Sequence, residues 1–129
     1  MNYAKNSFAR RNDMNTKVLS ATTIIGDGVK NSAGEDLGRL EDIMLDVSDG
    51  RISYGVITFG GFLGMGNKLF AIPWSALVLN TEEKCFYLNI DKEQLENAPG
   101  FDKDDWPNMA DHEWGRTIYD HYGVAPYWD

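Results

Sequence analysis

The chain has a single cysteine, Cys85, so neither a disulfide framework nor a cysteine-based zinc cluster can be built from it. That usage suits a reducing compartment and predicts a cytoplasmic protein. No apolar run approaches the roughly 20 residues of a membrane span, so stable membrane insertion is not expected. Basic residues are also scarce: 12 Lys and Arg face 20 Asp and Glu. Four of those bases (Lys5, Arg10, Arg11, Lys17) and one acid (Asp13) fall in residues 1–17, a net of +3. The remaining 8 bases and 19 acids leave the body at −11. Such a body repels a phosphate backbone and argues against a nucleic-acid partner. The basic leader lacks the apolar h-region of a secretory signal, and residues 1–16 read as a disordered tail.

Nucleophile patterns are missing as well. There is no G-x-S-x-G, Cys85 sits mid-strand, and no carboxylate pair stands out, so no enzyme is expected. The two histidines, His112 and His121, are nine residues apart, about half a turn out of phase on a helix, and cannot share a metal. Asp102 opens a run that counts like a calcium loop as far as Glu113 at its twelfth place. Trp106 and Pro107 then fall where an oxygen ligand and a glycine belong. No metal or cofactor is expected.

What the sequence does have is glycine, 13 of 129 residues, and many short β-rich runs between turn signals. In Ile57–Phe70, "ITFGGFLGMGNKLF", Gly61 and Gly66 have the separation of a phosphate-binding loop. Asn67 stands where the lysine belongs, Leu69 follows Lys68, and the next residues read as a strand rather than a helix. The loop therefore carries Phe62, Leu63 and Met65 either back over its own chain or against another chain.

Strand signals cover Val29-Lys30, Asp36–Val47, Ile52–Phe59, Leu69–Ile72, Leu77–Leu79 and Cys85–Ile90. In the second of these Ile43, Leu45 and Val47 form the apolar face, and Gly38 marks a bulge, because Leu37 and Leu40 fall out of phase. Ile52–Phe59 is apolar in both phases, so a second layer must cover it: a helix of the same chain or a partner. Asp91 and Gln94 form a capping box for a short helix anchored by Leu95 and ended by Pro99-Gly100. Asn108 caps a final helix running to Gly123, with Ala110, Trp114, Ile118 and Tyr122 along one stripe. The last 24 residues are crowded with aromatics.

The run Val29–Gly38, the strand Glu41–Asp46, Gly50–Tyr54 and the block Phe59–Trp74 closely resemble PRC-barrel domains. These are known from the cytoplasmic domain of the photosynthetic reaction-centre H subunit and from a ribosome-maturation factor. The resemblance spans roughly Lys17 to Asp91. The tail from Ala98 through Pro107, with Trp114-Gly115 and Ile118-Tyr119, is similar to the extension of stand-alone bacterial members. The H subunit's membrane helix and the maturation factor's N-terminal domain have no counterpart here. The resemblance implies a mainly β fold: a small, largely antiparallel β-barrel over residues 17–91, with a short helix and an aromatic-rich helical extension over 92–129 packed on it. It implies an adaptor or assembly module rather than an enzyme. The expected activity is protein binding with self-association as a homodimer. The candidate contacts are Tyr54, Val56 and Phe59 on the doubly apolar strand, Phe62, Leu63 and Met65 in the loop, Trp74 at the corner, and Trp114 and Ile118 on the last helix. The alternatives are a barrel holding a small ligand or metal at its end, or a ribosome- or RNA-associated factor.

Overall fold

The computed structural model describes residues 18–59 and 68–129. The basic tail 1–16 and the glycine-loop residues 60–67, with Phe62, Leu63 and Met65, lie outside the described residues. Of the apolar run that opens the described chain, only Ala21–Ile24 is regular, as one helical turn (α1) with Ile24 turned inward.

Six strands follow: β1 (Gly28–Lys30), β2 (Asp36–Asp46), β3 (Arg51–Phe59), β4 (Lys68–Pro73), β5 (Leu77–Asn80) and β6 (Cys85–Leu88). They form one curled sheet in the order β4-β3-β2-β1-β6-β5, a half-barrel. Every neighbouring pair is antiparallel except β1 with β6, which run parallel. Trp74–Ala76 makes a 3-10 corner between β4 and β5, at the position where Pro73 stops the ladder. β6 ends at Leu88, two residues short of the expected Ile90.

Local chemistry explains the turns. The buried Asn31 side chain accepts from the Ala33 and Glu35 amides and donates to the Ile90 carbonyl, which ties the β1–β2 turn to the end of β6. Asn80 does the same for the β5–β6 turn through the Glu82 and Glu83 amides.

The phase slip expected at Gly38 is present. Val29 pairs with Gly38 but Lys30 pairs with Asp36, so both Leu37 and Leu40 reach the same core. Gly38 has φ +120°, and a Cβ there would stand 2.2 Å from the Thr58 carbonyl oxygen. Only glycine fits this crossing.

Two further slips separate β2 from β3. Leu40 faces Ile57 while Asp42 faces Val56, and Met44 faces Tyr54 while Leu45 faces Ile52. After Met44 the β2–β3 hairpin outruns both hydrophobic clusters. Leu45 and Val47, expected on the apolar inner face, are 64% and 87% exposed. Simple alternation missed this because each extra residue re-aims the strand and the hairpin projects past its core.

The sheet has a core on each face. The larger one gathers Val29, Leu37, Leu40, Ile57, Phe59, Phe70, Ile72, Phe86, Leu88 and Leu95. Here α2 (Lys92–Glu96) contributes Leu95, and its Asp91–Gln94 capping box is formed in both directions. The other face holds Tyr54, Ala71, Ile118 and Tyr119. Its cover is α3 (His112–Tyr122), a helix of the same chain. The cap of α3 is Asp111, accepting from the Glu113 amide, rather than Asn108, whose side chain instead receives the Ala110 amide in the preceding turn. Ala110 therefore stays exposed outside the helix. The inward stripe is Gly115, Ile118 and Tyr119, flanked by Trp114 and Tyr122. Gly123 ends the helix in the left-handed region, as expected.

Candidate interaction surface

The aromatic residues of the C-terminal third build a cap on β3. Tyr54 projects from β3 between Trp114 and Tyr119 of α3, with ring centroids 5.5 and 5.6 Å away. Gly115 permits this approach: a Cβ there would lie 2.7 Å from the Tyr54 hydroxyl and 2.8 Å from the Trp128 ring. The buried Tyr119 hydroxyl donates to the Ser53 carbonyl, 3.1 Å away, and the Ser53 hydroxyl donates to the Met44 carbonyl. Those two bonds fix α3 to the bulge on β3.

Residues 124–129 return across this face. The Tyr127 hydroxyl donates to the Asp46 carboxylate at the end of β2, and the Arg51 guanidinium lies 4.3 Å above the Tyr127 ring. Trp128 stacks on His112 at 4.4 Å and meets Tyr119 edge-on at 5.1 Å. Asp129 is held by both terminal nitrogens of Arg116 at 2.7 and 2.6 Å.

Titration follows from these contacts. Burial pushes the Tyr54, Tyr119 and Tyr122 hydroxyls upward. Tyr127 is pushed up to about 12, first by burial and then by its bond to Asp46. The reciprocal bond holds Asp46 below the usual carboxylate range. Each shift favours the neutral phenol and the charged acid.

The sequence-derived contact residues divide accordingly. Tyr54, Val56, Phe59 and Ile118 are buried inside the chain, at most 5% exposed, with Tyr54 and Ile118 in the core under α3 and Phe59 in the core on the opposite face. Trp114 is half-buried against Tyr54, and Trp74 half-buried with its ring 5.7 Å from Phe86. The structure does not bring Trp74 and Trp114 together: they pack on different cores.

The described surface instead offers a groove of about 460 Å³ between the β2–β3 hairpin and the approach to α3. Met44, Leu45, Asp46, Val47 and Ser48 form one wall, and Met109, Ala110 and His112 the other. Sequence reasoning assigned Leu45 and Val47 to the interior. The available signal was their nearness to the Asp49-Gly50 turn, where a hairpin end seldom has a core beneath it.

Cys85 is free and buried. His121 approaches the Gln94 carbonyl at 3.3 Å. Among the described residues, no group of three or more His, Cys, Asp or Glu side chains could hold a metal ion, and no helix is long and apolar enough to cross a membrane.

A curled, mainly antiparallel sheet of this size, with short helices closing its faces, defines a small β-barrel module. The family model for the PRC-barrel domain matches residues 17–95, 79 of the 129 residues, and the chain belongs to that family. PRC-barrel domains are, as a family, generally non-catalytic. The comparison with curated proteins gives no match.

Proposed function

We propose that this PRC-barrel is a non-enzymatic, cytoplasmic assembly module that binds protein partners and pairs with a second copy of itself. One observation carries the reading. Leu45 and Val47 stand 64% and 87% exposed beside an open groove that Met44 and Met109 make largely apolar. Leaving each side chain wet forfeits about 1.5–3 kcal/mol relative to burial. A two-fold axis at the hairpin buries both residues from both copies at once, which makes a dimer the simplest way to cover them. Flexible methionines beside branched aliphatics also suit a surface that accepts more than one partner. Trp114, whose indole is half-buried near the same end of α3, and the loop residues Phe62, Leu63 and Met65 remain candidates for additional contacts.

Sedimentation across a concentration series tests this directly. The wild-type chain is expected to reach twice the monomer mass at high micromolar concentration. The pair Leu45→Asp and Val47→Asp is expected to stay monomeric and to melt as the parent does at concentrations where the parent is itself monomeric, because neither residue belongs to a core cluster. A wild-type chain that is monomeric throughout, or a double variant that dimerises as well as the parent, refutes the proposal.

A further inference from the structure

A second recess, lined by a different set of residues from the hairpin groove, lies beside the first turn of α3. Pro99, Gly100, Phe101, Asp105, Pro107 and Trp114 enclose about 190 Å³. Its floor is rigid. Phe101 bridges to Leu69 through both backbone hydrogen bonds, at 2.9 and 3.0 Å, and so adds a short strand contact outside β4. Gly100 packs so closely on β4 that a Cβ would stand 2.9 Å from the Phe70 ring and 3.1 Å from the Leu69 carbonyl oxygen. The walls are aromatic. Trp114 is braced by Tyr54, and the Phe101 ring is braced by Trp106 at 5.0 Å. The indole N–H of Trp106 donates to the Lys103 carbonyl at 2.7 Å, which fixes that 38%-exposed ring in place.

At the rim stands Asp105, positioned by a turn in which its amide donates to the Asp102 carbonyl. Its carboxylate has no hydrogen bond or ion pair among the described residues. The described cations that stack on rings do so elsewhere: Lys30 on Tyr87, Arg51 on Tyr127, Lys92 on Phe59 and Arg116 on Trp128. Among the described residues, none lies over Phe101, Trp106 or Trp114. The recess thus combines preformed π faces, an unpartnered carboxylate and the field of a body carrying −11, all of which favour a positive guest.

Size and hydration narrow the guest. The volume is below the roughly 300 Å³ at which drug-sized ligands begin, so the recess takes a head group rather than a whole cofactor. A primary ammonium holds its water tightly, and aromatic walls offer no hydrogen bonds in exchange. A methylated ammonium loses little hydration and presents methyl groups to the rings. We propose that this recess binds a methylated alkylammonium head group, with Phe101 and Trp114 as walls and Asp105 as counter-charge.

The test is a titration followed by proton–nitrogen NMR at the Trp106 and Trp114 indole signals. Choline serves as the free small-molecule probe and N-acetyl-trimethyllysine amide as the side-chain probe, and whichever binds more tightly identifies the source. Dimethylbutanol, the uncharged isostere of choline, is the control. A saturable shift at both indoles, with choline or the lysine derivative preferred at least about fivefold over dimethylbutanol, is the expected result. Asp105→Asn, an exposed position whose substitution leaves the rest of the spectrum in place, is expected to weaken the cation about threefold or more and to leave the alcohol unchanged. No saturable shift, equal binding of the uncharged isostere, or an Asp105→Asn variant that binds the cation as its parent does would each overturn the proposal.

Discussion

Replacing Gly115 by alanine sets two effects of similar size against each other. In an exposed helix the change stabilises by about 1 kcal/mol, because glycine gives up more backbone freedom on folding. On α3 the added Cβ arrives 2.7 Å from the Tyr54 hydroxyl and 2.8 Å from the Trp128 ring, well inside van der Waals contact. Tyr54 cannot retreat, since it is buried and wedged between Trp114 and Tyr119. Trp128 can, because it belongs to the terminal segment and is only half-buried. Overpacking of this kind costs about 1–3 kcal/mol. The expected net is a destabilisation of about 1 kcal/mol, or roughly 4 °C in melting temperature for a domain of this size. Calorimetry measures the shift, and hydrogen exchange at the Trp128 indole N–H, buried without a partner in the parent, reports whether the ring has swung out. The same substitution made in a Trp128→Ala background should lose most of its penalty, since the two residues share one contact. A Gly115→Ala variant that melts higher than the parent while Trp128 stays protected would refute this account of how the terminal segment is seated.

Two further outcomes follow from the backbone and from titration. Gly38→Ala should cost more than about 3 kcal/mol, since φ +120° is closed to alanine and the clash is with the Thr58 carbonyl rather than a movable side chain; a cooperative melt close to that of the parent would contradict it. On the alkaline side, Tyr127 has its folded pKa raised to about 12 from an ordinary value of 10.0, and Tyr54 and Tyr122 are raised as well. Their contribution to stability is complete below the unfolded value and is lost as pH rises through the folded one, so unfolding should set in between about pH 10 and 12. Tyrosinate absorbance and circular dichroism should change together there. Full tyrosinate absorbance near pH 10.5 with an intact native spectrum would argue against the buried cap.

Much of this protein was determined by the sequence alone, because much of it is local. The Asp91–Gln94 capping box, the Asp49-Gly50 hairpin, the Gly38 slip and the Gly123 stop each rest on the conformational preferences of a few adjacent residues, and each is found where the residues put it. The double apolar phase of Ile52–Phe59 stated that a second layer exists. It could not state which one, because a helix of the same chain and a partner impose the same residue pattern.

Only the tertiary structure decided that α3 and the terminal aromatics fill that layer over Tyr54, with Ile118 facing inward, while Phe59 is buried in the core on the opposite face. It also decided that Leu45 and Val47 face solvent, because two extra residues in the β2–β3 ladder and a hairpin longer than its core are properties of pairing, which alternation along one strand does not contain. The surfaces argued to bind are of the same kind. The hairpin groove joins residues 44–48 to 109–112, and the aromatic recess joins 99–107 to 114. Side chains brought together by packing set the shape and field of a site, and no single stretch of the sequence holds both walls.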